Sequence, residues 1–188
     1  MSRSEPARFE AGRLRWARLA ALALAGVLLV EWSAVPSSVG PADGAVPAGV
    51  TAFDDVPAVA NLDRDLLRAL RRAATDAARD GIVLVVNSGW RSPAYQRHLL
   101  DDAVAKYGSR RQATRWVATA DRSSHVSGDA VDIGPAVAAA WLSRHGSGYG
   151  LCRIYRNEPW HYELRPTSAD GRCPAMFTDP RHDPRMQL

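Results

Sequence analysis

Residues 82–86 read Ile-Val-Leu-Val-Val, an apolar run with Gly81 before it and the polar pair Asn87-Ser88 after it. Branched side chains suit extended backbone, and a short apolar run between breakers reads as a buried strand, here Ile82–Asn87. Helix patterns enclose it. Leu62, Leu66, Leu70, Ala73 and Ala77 recur at helical spacing, with Asn61 or Asp63 to cap and Gly81 to stop, which predicts a helix over about 62–79. Downstream, Ser92-Pro93 is a cap followed by proline at the first helical position, opening a helix that runs to Tyr107 before Gly108. A short helix over Gln112–Ala118 and a short strand over Asp129–Ile133 follow. An Ala-rich helix spans Pro135–His145, and two strands, Leu151–Tyr155 and Trp160–Arg165, pair antiparallel. Helices and strands without regular βαβ alternation give an α+β fold.

The first 35 residues differ in kind. Five arginines (3, 8, 13, 15 and 18) stand against Glu5, Glu10 and Glu31, half of the chain's net charge of +4 in less than a fifth of its length. All five precede the apolar run Leu19–Val30, and small and polar residues come after it. That order predicts an export signal or a retained signal anchor over 1–35, and so an exported protein, secreted or tethered to the cytoplasmic membrane. The alternative for this segment is an amphipathic or buried helix. Residues 36–50, rich in Pro, Gly, Ala and Val, read as a flexible linker, and 51–188 as one domain, expected to be a monomer. The domain is nearly balanced in charge, so the basic excess is no nucleic-acid footprint. Cys152 and Cys173 are an even pair in an exported chain and read as a disulfide; two buried thiols are the alternative, and zinc ligation by them lacks a C-x-x-C pair.

Three segments concentrate polar residues beside these strands: Ser88-Gly-Trp-Arg-Ser92, Ser124-His-Val-Ser-Gly-Asp-Ala-Val-Asp132 and Glu158-Pro-Trp-His-Tyr-Glu163. In the second, Asp132 lies in the apolar strand Ala-Val-Asp-Ile, where a carboxylate is costly to bury unless paired or bound to metal. Strand alternation turns it inward and leaves Asp129 solvated. His125 and Asp132 across a glycine turn suit zinc as well as a hydrogen-bonded pair. His161 adds a second imidazole, and two His with one Asp leave an open metal position, which can lower the pKa of a bound water to roughly 7. Glu158, three residues before His161, fits a general base; Glu163 competes for that role. Arg91, delivered by the loop after a strand, can hold a carboxylate or a developing oxyanion. Trp90, Trp116 and Trp141 read as core and Trp160 as a wall of the site. His98, His145 and His182 read as structural or solvated.

In their order and spacing, Ser-Gly-Trp-Arg-Ser, Ser-x-His-x-x-Gly-x-Ala-x-Asp and Glu-x-Trp-His resemble the zinc D-alanyl-D-alanine carboxypeptidases and dipeptidases (VanY/VanX-like), which share a fold with the Hedgehog signalling domain. The resemblance covers about residues 82–165. It implies an antiparallel sheet with packed helices, one zinc ion on His125, Asp132 and His161, Glu158 as general base and Arg91 as transition-state stabiliser. It also places Gln96 and Ser124 where relatives contact substrate. The implied reaction removes the terminal D-Ala from a peptidoglycan stem ending in D-Ala-D-Ala. The same chemistry on another bond (L,D-carboxypeptidase, D,D-dipeptidase or endopeptidase) and a non-catalytic zinc-stabilised binding module are the rivals. The approach Asp121–Ser124, where relatives often carry Pro-Gly, and the cysteine pair depart from the pattern.

Overall fold

The computed structural model describes residues 39–186, so the leader expected over 1–35 lies outside the described residues. Among the described residues no helix is long and apolar enough to cross a membrane. The elements in order are α1 (Pro57–Ala60), α2 (Arg64–Arg79), β1 (Val85–Ser88), α3 (Pro93–Tyr107), α4 (Arg110–Ala113), α5 (Ser124–Ser127), β2 (Ala130–Gly134), α6 (Ala136–His145), β3 (Leu151–Arg153) and β4 (His161–Leu164). The strands form one antiparallel sheet in the order β1-β2-β4-β3, so the fold is α+β as expected.

Local chemistry sets the helix ends. The Asp63 carboxylate accepts from the N–H groups of Asp65 and Leu66 at 2.9 and 3.0 Å, satisfying first-turn donors of α2. Ser92 accepts from Tyr95 N–H at 3.0 Å and Pro93 opens α3, which ends on Gly108 at φ +78°. The predicted short helix over Gln112–Ala118 forms earlier and shorter, as α4, because Ser109 caps it through Gln112 N–H at 3.3 Å.

The sheet has two faces with different tasks. On one, Val86, Val131, Ile133, Leu151 and Tyr162 join Leu66, Leu70 and Ala73 of α2 and Trp141 and Leu142 of α6 in the main core. On the other, Asp132 stands between Val131 and Ile133, and His161 and Glu163 flank Tyr162. Burying this polar face is possible because the C-terminal segment covers it. Cys152 of β3 is bonded to Cys173 with Cα atoms 5.6 Å apart, and Phe177 packs against the Cys152–Ile154–Tyr155 cluster. The disulfide reading of the cysteines is therefore correct.

Two expectations need correction. The strand expected over Ile82–Asn87 begins at Val85 and runs to Ser88, and of its four residues only Val86 is fully buried; Val83, before it, is 61% exposed. The linker expected over 36–50 is folded structure from residue 40 on. Pro41–Asp43 forms a turn whose Asp43 accepts from Ser92 N–H and Oγ at 2.8 and 2.9 Å, while Val46 and Val50 pack into the core. The prolines and glycines there shape turns instead of loosening the chain.

Candidate metal centre and catalytic site

Strand register builds the centre of the site. Ser88 of β1, Asp132 of β2 and His161 of β4 are Cα partners in one row across three strands. Directly opposed residues on one face lie close enough for their side chains to meet. His161 Nδ1 is 3.1 Å from Asp132 Oδ1. His125 arrives from outside the sheet on α5, and its Nε2 is 3.4 Å from the same oxygen.

A loop lock aims His125. Its Nδ1–H donates to Gly89 O at 2.8 Å, and its carbonyl accepts from Arg91 N–H at 3.1 Å, so the Ser-Gly-Trp-Arg and Ser-x-His segments hold each other. Glycine is required at two points. A Cβ at Gly89 would lie 2.1 Å from Ala58 O, and Gly128, at φ +83°, would bring one 2.6 Å from Asn61 O. With Nδ1–H committed, the Nε2 lone pair faces Asp132. Burial, helped by Arg91, lowers the His125 pKa and keeps that lone pair available.

His161 is held in the opposite sense. Its Nε2–H donates to Glu163 Oε1 at 3.2 Å, leaving Nδ1 toward Asp132. Burial opposes charge on this ring, but hydrogen bonds to Asp132 and Glu163 override it and raise the pKa to about 10. Burial likewise opposes ionisation of Asp132, yet the two imidazoles hold its carboxyl well below the usual range.

The ligand atoms of His125, Asp132 and His161 all lie within 4.8 Å of one another, and all three residues are buried. Two imidazole nitrogens and one carboxylate oxygen form a donor set suited to zinc. Each ring has its far nitrogen tied to a carbonyl or carboxylate, as metal-binding histidines do. One further observation fits a cation here: Glu158 is buried beside the cluster, with Oε2 3.9 Å from His161 Nδ1 and Oε1 without any hydrogen-bond partner among the described residues. Burial pushes its carboxyl up from 4.5 to about 7, with the nearby Asp132 adding to the effect and His161 opposing it.

The other residues named from sequence take distinct places. Arg91 donates from Nε to Ser88 Oγ at 2.8 Å, from Nη1 to Gln96 Oε1 at 3.1 Å and from Nη2 to Asp132 Oδ2 at 3.1 Å. Gln96 lines the cavity, but its amide is occupied at both ends, since Nε2 donates to Ala118 O at 2.9 Å. It braces Arg91 from the cavity wall, where it was expected to contact substrate. Ser124 lines the cavity beside His125. The cavity of about 230 Å³ is bounded by Trp160, as expected, and by Trp116, which is 39% exposed and not core.

Glu163 is not a competing base. It sits behind His161, 1% exposed, with Oε2 accepting from Arg165 and, at 2.8 Å, from Arg185 Nη1. Arg185 also pairs with buried Asp183, which accepts from Tyr155 OH at 3.0 Å. The Tyr155 ring lies 5.1 Å from the His161 ring, and burial drives its hydroxyl pKa far upward. The C-terminal segment, expected to be only a pinned polar tail, thus supports a ligand, and its Pro180 and Met186 line the cavity. The one signal available in the sequence was the alternation that puts His161 and Glu163 on the same face.

The family profile described as VanY, D-alanyl-D-alanine carboxypeptidase, matches residues 59–167, more than half of the chain. The chain belongs to the VanY family. A curated D-alanyl-D-alanine carboxypeptidase of Enterococcus faecalis (strain ATCC 700802 / V583) is 33% identical over 46% of this chain and 42% of its own length. The chain thus spans less than half of that relative. Two VanY structures are similar. A vancomycin-resistance D,D-pentapeptidase mutant in complex with Zn(II) superposes with a TM-score of 0.52 at 28% identity, covering 55% of this chain and 72% of its own. VanYB in complex with D-alanine-D-alanine gives 0.53 at 27% identity, covering 56% and 72%. The LdcB LD-carboxypeptidase, 23% identical with a TM-score of 0.52 over 67% of this chain and 69% of its own, shares the fold.

Proposed function

We propose that the protein is a zinc-dependent carboxypeptidase that removes the terminal D-Ala from peptidoglycan stems ending in D-Ala-D-Ala. The observation that carries the reading is Glu158: a buried carboxylate with an unpartnered oxygen, held beside a His-Asp-His cluster at the floor of a cavity. A binding module stabilised by metal has no use for such a group, whose burial is costly.

His125 Nε2, His161 Nδ1 and an Asp132 oxygen are the atoms that would hold the ion. Bound there, zinc supplies a Lewis acid that polarises a carbonyl and acidifies water. The chain's own groups do the rest. Glu158 takes a proton from the attacking water and passes it to the leaving amine as the amide C–N bond breaks, giving a carboxylic acid and free D-Ala. Arg91, fixed by Ser88, Gln96 and Asp132, places positive charge at the cavity wall for an oxyanion or a substrate carboxylate. Tyr155, Trp116 and Trp160 narrow the space open to bulk water.

A peptidoglycan substrate fits an enzyme that works outside the cytoplasm, to which residues 1–35 would export or tether it. The experiment is mass spectrometry of stem peptides incubated with the zinc-loaded protein. Loss of one D-Ala from the D-Ala-D-Ala stem, abolished by chelator, is expected. Loss of a dipeptide, or shortening only of a stem that already lacks the last D-Ala, would reassign the bond. No reaction with any stem would sink the reading.

A further inference from the structure

A second cleft, of about 550 Å³, adjoins the catalytic cavity, and the two share Ala118, Pro180 and Met186 as walls. Its lining is basic: Arg110, Arg111 and Arg181 against the single carboxylate of Asp121. Arg181 is engaged with Asp179 at 3.4 Å, and Asp121 with Arg122 at 3.5 Å. Neither Arg110 nor Arg111 forms an ion pair with a carboxylate among the described residues; the Asp121 carboxyl is lowered first by its hydrogen bond with Thr119, and Arg110 adds only a distant contribution. Thr114 and Thr119 line the same cleft. On its other flank the catalytic cavity meets Trp160, the single residue it shares with a further pocket, which carries Arg144 and Arg153.

This arrangement takes meaning from the carboxypeptidase reading, on which the inference rests. Removing one terminal residue leaves nothing of the substrate beyond that residue on the leaving side. Whatever continues past the catalytic cavity belongs to the acyl side, the part of the peptide before the scissile bond. We infer that the Arg110–Arg111 cleft holds the acyl-side peptide and selects for a carboxylate on it. The ligand class is an anionic peptide ending in D-Ala-D-Ala, with its negative charge one to three residues upstream of that dipeptide. Guanidinium groups recognise carboxylates through paired N–H donors. Both arginines are exposed, so the contact is screened by salt and modest in strength.

The test uses N-acetylated peptides ending in D-Ala-D-Ala in which one Glu, or its Gln counterpart, is walked over the three positions before that dipeptide. At low salt the zinc-loaded protein should prefer Glu over Gln by about fivefold in kcat/KM at one position, mainly through KM. The preference should shrink toward one in R110Q/R111Q protein and at high ionic strength. Equal turnover of Glu and Gln peptides at every position overturns the inference while leaving the carboxypeptidase reading intact. Calorimetric binding of the same peptides to the zinc-loaded E158Q protein gives a second readout. There the same preference, lost on changing the arginines, supports the cleft even if no peptide is hydrolysed, an outcome that would count against the reaction alone. Equal binding refutes the cleft.

Discussion

Glu158 should cost the protein stability, and the cost should depend on pH. Burial raises its carboxyl from 4.5 to about 7. Below 4.5 the group is protonated in folded and unfolded chains alike and carries no penalty. As pH rises through 4.5 the unfolded chain ionises first, so the folded state loses ground until about pH 7, where the buried carboxyl ionises too. The full displacement corresponds to about 3 kcal/mol, and between pH 5 and pH 8 some 2–3 kcal/mol of it is expressed. Glu158→Gln removes the ionisation and keeps the shape. In chelator-treated protein, where only the chain's own charges act, E158Q should gain on wild type by that amount as pH rises from 5 to 8. For a typical urea dependence this is a relative midpoint shift of about 1 M. Urea unfolding followed by tryptophan fluorescence at the two pH values measures it. A gap between variant and wild type that does not change with pH would refute the reasoning.

The remaining predictions concern the metal site and its supports. His161 is held at about 10 by Asp132 and Glu163, so zinc binding must displace its proton. Calorimetry in two buffers of different ionisation heat at pH 7.5 should show about one proton released, with affinity falling as pH is lowered. Glu163→Gln should weaken zinc binding tenfold or more in competition with a chromophoric chelator, because it slackens the bond that orients His161. Replacing Cys152 and Cys173 by Ser opens a loop with a sequence separation of 21, costing about 3 kcal/mol in the chain-entropy model. The melting temperature should fall by roughly 6–12 °C.

What was legible in the sequence was short in range. Asp63, Ser92-Pro93 and Gly108 act on neighbours a few residues away, and the helix ends they set are where the sequence places them. Asp132 inside an apolar strand was legible because a lone carboxylate there demands a partner. The functions of Gln96 and Glu163 were not. Gln96 reaches Arg91 and Ala118, and Glu163 reaches Arg185, 22 positions away. Alternation shows that Glu163 shares a face with His161; it does not show whether the carboxylate turns toward the cavity or behind the ring. Residues 40–50 misled by composition, since turn-forming residues are common both to tethers and to packed segments anchored by a Val46 or an Asp43.

The central claim is that Glu158 moves the proton at a site where His125, Asp132 and His161 hold zinc. The most direct measurement is D-Ala release from a D-Ala-D-Ala stem by E158Q protein whose zinc content has been determined. The account predicts one zinc per chain and no detectable release, beside an active wild type. Normal turnover by the zinc-loaded variant would contradict it.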